Sequence, residues 1–101
     1  MSGEKVKATA FLWDGKKQLP GMLVISDQYV AFNSLYFRDS HLQLRIRITD
    51  IDHLALKPIF RISTHILRIK SRVGKTDQFV LENPRAIKKL IENKILKSQG
   101  F

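Results

Sequence analysis

The hydrophobic period of this chain changes once, at Asn83–Pro84. Ahead of that point apolar residues recur at every second position in short runs. Behind it they recur at every third or fourth. Such a chain has a β-sheet to build and one helix with which to cover it. The clearest strand is "LQLRIRI", residues 42–48, in which Leu42, Leu44, Ile46 and Ile48 face one way and Gln43, Arg45 and Arg47 the other. That alternation predicts a half-buried strand with one solvated face. Residues 5–13 place Val6, Ala8, Ala10 and Leu12 on one face. Residues 22–25 and 29–33 make two more strands joined at "SDQ", and residues 51–57 another, ended near Pro58. In "HILRIKSR" Leu67 and Ile69 oppose Arg68 and Lys70, and in "TDQFVLE" Phe79 and Leu81 point inward. Asp14-Gly15 and the "VGK" around Gly74 supply turn chemistry. After the switch, Asn83 reads as an N-cap, Pro84 as the first helical residue and Gly100 as a stop. Ile87, Leu90, Ile91 and Ile95 form the apolar stripe, leaving Arg85, Lys88, Lys89, Lys94 and Lys97 on the outer face. The predicted order is about seven antiparallel strands and one C-terminal helix: a mainly β fold.

The chain has 101 residues, which fits one domain over residues 1–101. Folding at this size buries roughly 60–70% of the unfolded surface, enough for one modest core. There is no cysteine, which removes disulfides and thiolate metal sites. No apolar run reaches the ~20 residues of a membrane-spanning helix, and the N-terminus has no signal-peptide core. The expectation is a soluble, cytoplasmic protein, at most peripheral to membranes. Its 18 Lys and Arg against 9 acids give a net charge of +9. That excess favours anionic partners.

Seven strands and a terminal helix are the plan of the pleckstrin-homology superfold, a partly open barrel plugged by its helix. Within it, "PGMLVISDQYVAFNS" resembles the signature of the GRAM branch: a glycine opens strand two, a short polar turn follows, and an aromatic residue sits in strand three. "LRIRITDIDHLALK" is similar to the matching later segment, and "FVLENPRAIKKLI" to the last strand and capping helix. Gly21, Tyr29, Phe32, Ile51 and Phe79 fall on positions that build the fold. The resemblance implies a non-catalytic adaptor that docks on membrane lipid or protein, commonly as part of a larger protein. Phosphoinositide-binding members carry a basic pattern across strands one and two. Here Lys16 and Lys17 lie in the intervening loop, but "GMLVIS" has no arginine, so the resemblance does not extend to tight inositol-phosphate binding.

Little points to catalysis. His41, His53 and His65 are twelve residues apart, a spacing without metal-site logic on short strands. Asp50 and Asp52 would share a strand face, but two carboxylates alone make a poor cation site. No nucleophile elbow or glycine-rich phosphate loop is present. No catalytic residue, metal, cofactor or small-molecule substrate is assigned, and the chain reads as a non-enzyme.

The cations carry the functional expectation. On the predicted fold, Lys16, Lys17, Arg38, Arg72 and Lys75 occupy loops at the barrel end away from the helix. One of those loops, "SLYFRDSH", presents Tyr36 and Phe37. Aromatic residues ringed by cations suit a membrane interface: Tyr36 and Phe37 would insert while the five cations meet anionic headgroups. The alternative is a protein-interaction module that binds a peptide or partner domain, with Phe60 and Ile62 of "KPIFRIS" on the docking patch. Nucleic acid is disfavoured, because the predicted strand exteriors offer arginines without aromatics on which bases could stack.

Overall fold

The computed structural model describes residues 5–13, 17–34, 43–58 and 65–99. Seven antiparallel strands form one sheet: β1 Val6–Trp13, β2 Gln18–Ile25, β3 Tyr29–Ser34, β4 Gln43–Arg47, β5 Ile51–Pro58, β6 His65–Ser71 and β7 Thr76–Leu81. The helix α1 spans Pro84–Ser98. Spatial order along the sheet is β4-β3-β2-β1-β7-β6-β5. β1 is the shared strand: it pairs along its whole length with β2, and from Ala10 to Trp13 with β7 as well. β4 and β5 are left as the two edges, so the sheet is not closed.

The inward residues of each strand meet in one core. Phe32 of β3 and Phe79 of β7, both fully buried, bring their ring centroids within 5.7 Å. Leu23, Ile25, Val30, Leu67 and Ile69 complete the layer, and Ile87 and Ile91 close it from α1. Each fully buried side chain of this size contributes about 1.5–3 kcal/mol through loss of apolar surface from water. Gly21 sits in the middle of β2 rather than at its start, and it must be glycine. A Cβ there would lie 2.5 Å from the Phe32 ring, well inside van der Waals contact.

Several boundaries differ from the sequence reading, for physical reasons. β2 begins at Gln18, so Pro20 lies inside a strand. Among the described residues β3 pairs with β2 only from Gly21 onward, so no ladder partner for Pro20 is seen on that side, where a proline is tolerated. The strand predicted over residues 42–48 ends at Arg47 as β4, and Ile48 opens a single 3-10 turn, Ile48–Asp50, that leads into β5. Two backbone bonds hold that corner: Ile48 N–H donates to Gln28 O and Arg72 N–H to Asp50 O. Asp50 therefore stands in the turn that enters β5 and Asp52 on β5 itself, so the two carboxylates do not share a strand face.

The "SDQ" turn is held by Ser26, whose hydroxyl oxygen accepts from the N–H groups of Gln28 and Tyr29. In the β6–β7 turn Gly74 takes φ +89°, a left-handed conformation that β-carbons disfavour. Asn83 caps α1 as expected, its Oδ1 accepting from Ala86 N–H, with Pro84 at the first helical position. The turn expected at Asp14-Gly15 and the helix stop expected at Gly100 lie outside the described residues.

Candidate functional site

Strand register decides which connections share an end of the sheet. Trp13 stands opposite both Gln18 and Gln78, so the end of β1 and the starts of β2 and β7 lie side by side. With strands ~4.8 Å apart, Gln18 and Gln78 are separated by about 10 Å of sheet. Gly21 faces Ser34 and Asn33 faces Gln43, which sends the β3–β4 connection out at the same end. The β1–β2, β3–β4 and β6–β7 connections thus leave the sheet together. The helix starts beyond Leu81, which pairs with Ala10 farther down β1.

Of the residues assigned to this end, Lys17, Arg72 and Lys75 are described, and all three are exposed. Lys16, Arg38, Tyr36 and Phe37 lie outside the described residues, as do Phe60 and Ile62 of the alternative site. Sequence reasoning missed Val73. It is 90% exposed at the tip of the β6–β7 turn, between Arg72 and Gly74 and two residues from Lys75. The available signal was a β-branched residue beside the glycine of a turn, where no core position exists to receive it. The backbone under it is firm: Gly74 N–H donates to Ser71 O, Ser71 N–H to Lys75 O, and Lys75 N–H to the Ser71 hydroxyl. Behind the turn, burial pushes the Asp77 carboxyl above its ordinary value, and the neighbouring Lys75 ammonium acts in the opposite direction.

The cations expected on strand exteriors are partly redistributed. Arg45 and Arg47 are exposed on β4, and Lys70 on β6. Arg68 is half-buried and donates to Gln78 Oε1 across the β6–β7 ladder at 3.2 Å. The exterior does carry aromatics, contrary to the sequence reading. The Arg45 guanidinium lies 4.5 Å from the Tyr29 ring centroid, and the Lys5 ammonium 6.0 Å. Tyr29 is half-buried on the outer face of the sheet beneath these exposed cations. On the helix, Lys94 is not on the outer face. It is 8% exposed and forms an ion pair with Asp27 of the β2–β3 turn.

Two depressions flank β4. One, of about 220 Å³, lies between Leu44 and Ile46 of β4 and Arg72 and Val73 of the β6–β7 turn. The other, about 520 Å³ and more open, is bordered by Tyr29, Arg45, Arg47, Thr49 and Ser98. Arg45 borders both. No helix among the described residues is long and apolar enough to cross a membrane.

No protein-family model matches the sequence, and no curated protein does. Solved structures do match the fold. The C-terminal domain of an unknown protein from Leishmania infantum superimposes with a TM-score of 0.78 at 12% identity, over 90% of this chain and 82% of that one. The Vps36 N-terminal PH domain superimposes with a TM-score of 0.74 at 10% identity, over 98% of this chain and 83% of that one. With its unclosed seven-stranded antiparallel sheet and single C-terminal helix, the chain has a pleckstrin-homology-like fold.

Proposed function

We propose that this chain is a non-catalytic adaptor module, of GRAM type within the pleckstrin-homology-like fold, that docks on anionic membrane surfaces through the loop end of its sheet. The observation that carries the reading is the β6–β7 turn, where Val73 projects 90% exposed between Arg72 and Lys75. An apolar side chain held out on a hydrogen-bonded turn and bracketed by cations matches the boundary between acyl chains and headgroups. Lys17 adds a cation from the start of β2, and Lys16, Arg38, Tyr36 and Phe37 belong to the connections that leave at the same end. Gly21, packed under the Phe32 ring, supports the GRAM assignment because it gives the family's strand-two glycine a structural task.

Each cation near an anionic leaflet contributes on the order of 1 kcal/mol, so Lys16, Lys17, Arg38, Arg72 and Lys75 together give roughly 5 kcal/mol. That corresponds to sub-millimolar affinity, useful when a larger assembly supplies a second contact. Liposome co-sedimentation tests it. The chain should pellet with vesicles containing phosphatidylserine and not with phosphatidylcholine alone, and added salt should weaken the association. Lys16→Glu/Lys17→Glu and Arg72→Glu/Lys75→Glu should each reduce it by about tenfold or more. Binding that ignores salt and both charge reversals would sink the reading.

A further inference from the structure

The sheet ends in two edges, and they are unequal. Helix α1 packs against β5, which also carries a register irregularity at Ile51–His53 and ends in Pro58. These features blunt an edge. β4 pairs with β3 on one side and has no strand on the other among the described residues. We propose that β4 is a docking edge for an extended peptide of a partner protein in which apolar and acidic residues alternate.

The stated chemistry follows from what lies on either side of β4. A segment added to an edge continues the pleat, so its side chains alternate between the same two faces as those of β4. On the inner face, Leu44 and Ile46 border the cleft of about 220 Å³, with Val73 on its far wall. Asp50 and Asp77 also reach this cleft, where Arg72 and Lys75 balance them. With Arg45 also at its border the cleft carries one excess positive charge, and its Leu44, Ile46 and Val73 walls fit apolar side chains. On the outer face stand Arg45 and Arg47, beside the open depression bordered by Tyr29 and Thr49. Neither arginine has a carboxylate partner among the described residues, where the side-chain ion pairs are Lys88–Glu92 and Lys94–Asp27. Acidic side chains complement them. The same two cations disfavour a second copy of this chain, since β4 against β4 would bring arginines together. Five residues of β4 extend about 17 Å, which sets the length read at roughly four to six residues. The cleft shares Arg72, Val73 and Lys75 with the loop end, but Arg45 and Arg47 are not among the loop-end cations, so reversing those two charges tests this site while leaving the membrane-facing residues intact.

The test uses a fluorescein-labelled eight-residue peptide of alternating valine and glutamate. It is titrated into the full chain by anisotropy, with amide hydrogen exchange followed across β4. A valine–lysine peptide of equal length is the comparison. The glutamate peptide should bind and slow exchange within residues 43–47, and the lysine peptide should not. Arg45→Glu/Arg47→Glu should weaken the glutamate peptide by about tenfold or more and admit the lysine peptide. Arg47→Glu alone, which leaves Arg45 over Tyr29, should shift preference in the same direction and guards against a folding defect. Absent binding, equal binding of both peptides, or binding without protection of β4 overturns the proposal. So does β4 protection that rises with protein concentration in peptide-free samples, because the edge would then pair with a second copy.

Discussion

Asp77 shows how one residue registers its surroundings. Burial holds its carboxyl above the ordinary value of 3.8 although Lys75 opposes the shift. In the unfolded chain this proton leaves near the ordinary value, whereas the folded chain retains it to higher pH. The contribution to stability is therefore fully present below the unfolded pKa and lost as pH rises through the folded one. Asp77→Asn cannot ionise, so its stability relative to the parent should improve on going from about pH 3 to about pH 7. Urea denaturation of both proteins at the two pH values reads the sign, and a gap that does not change would contradict it. Gly21 and Gly74 are residue-scale features of another kind. The first is fixed by the Phe32 ring above it and the second by a left-handed backbone angle.

At the scale of elements, α1 depends on a contact no sequence pattern announces. Lys94 lies three residues after Ile91 and seven after Ile87, on the stripe that faces the sheet. Its methylene stem occupies an apolar position and its ammonium meets Asp27, far away in sequence. Lys94→Met retains the stem and should stay within about 1 kcal/mol of the parent, while Lys94→Ala should lose about 2 kcal/mol more. Equal stability of the two variants in denaturant titrations would show that the stem does not pack. Most of the strands and the helix were legible beforehand, because side-chain alternation and the Asn83–Pro84 cap are local signals. The 3-10 corner at Ile48, the outward Tyr29 under Arg45 and the inward Lys94 were not. Each depends on a partner that only the folded sheet brings near: Gln28 for Ile48, β4 for Tyr29, and Asp27 for Lys94. Val73 was hidden for the opposite reason, since exposure at a turn tip leaves no periodic trace.

At the scale of the whole molecule, the net charge of +9 acquires a geometry. Among the described residues, Lys17, Arg72 and Lys75 stand exposed at the loop end of the sheet, Arg45 and Arg47 on β4, and Arg85, Lys89 and Lys97 on α1, so positive charge is presented on separate parts of the surface. The central claim is that the loop end, led by Val73, enters a membrane interface. The absence of cysteine makes a direct measurement available, because Val73→Cys creates a unique site for an environment-sensitive nitrobenzoxadiazole label. A parallel label at Leu96→Cys, on the exposed side of α1, serves as the reference. On adding phosphatidylserine vesicles, the label at position 73 should brighten and shift to the blue, and the label at position 96 should not. Vesicle binding with no change at position 73, or with the larger change at position 96, would contradict the account.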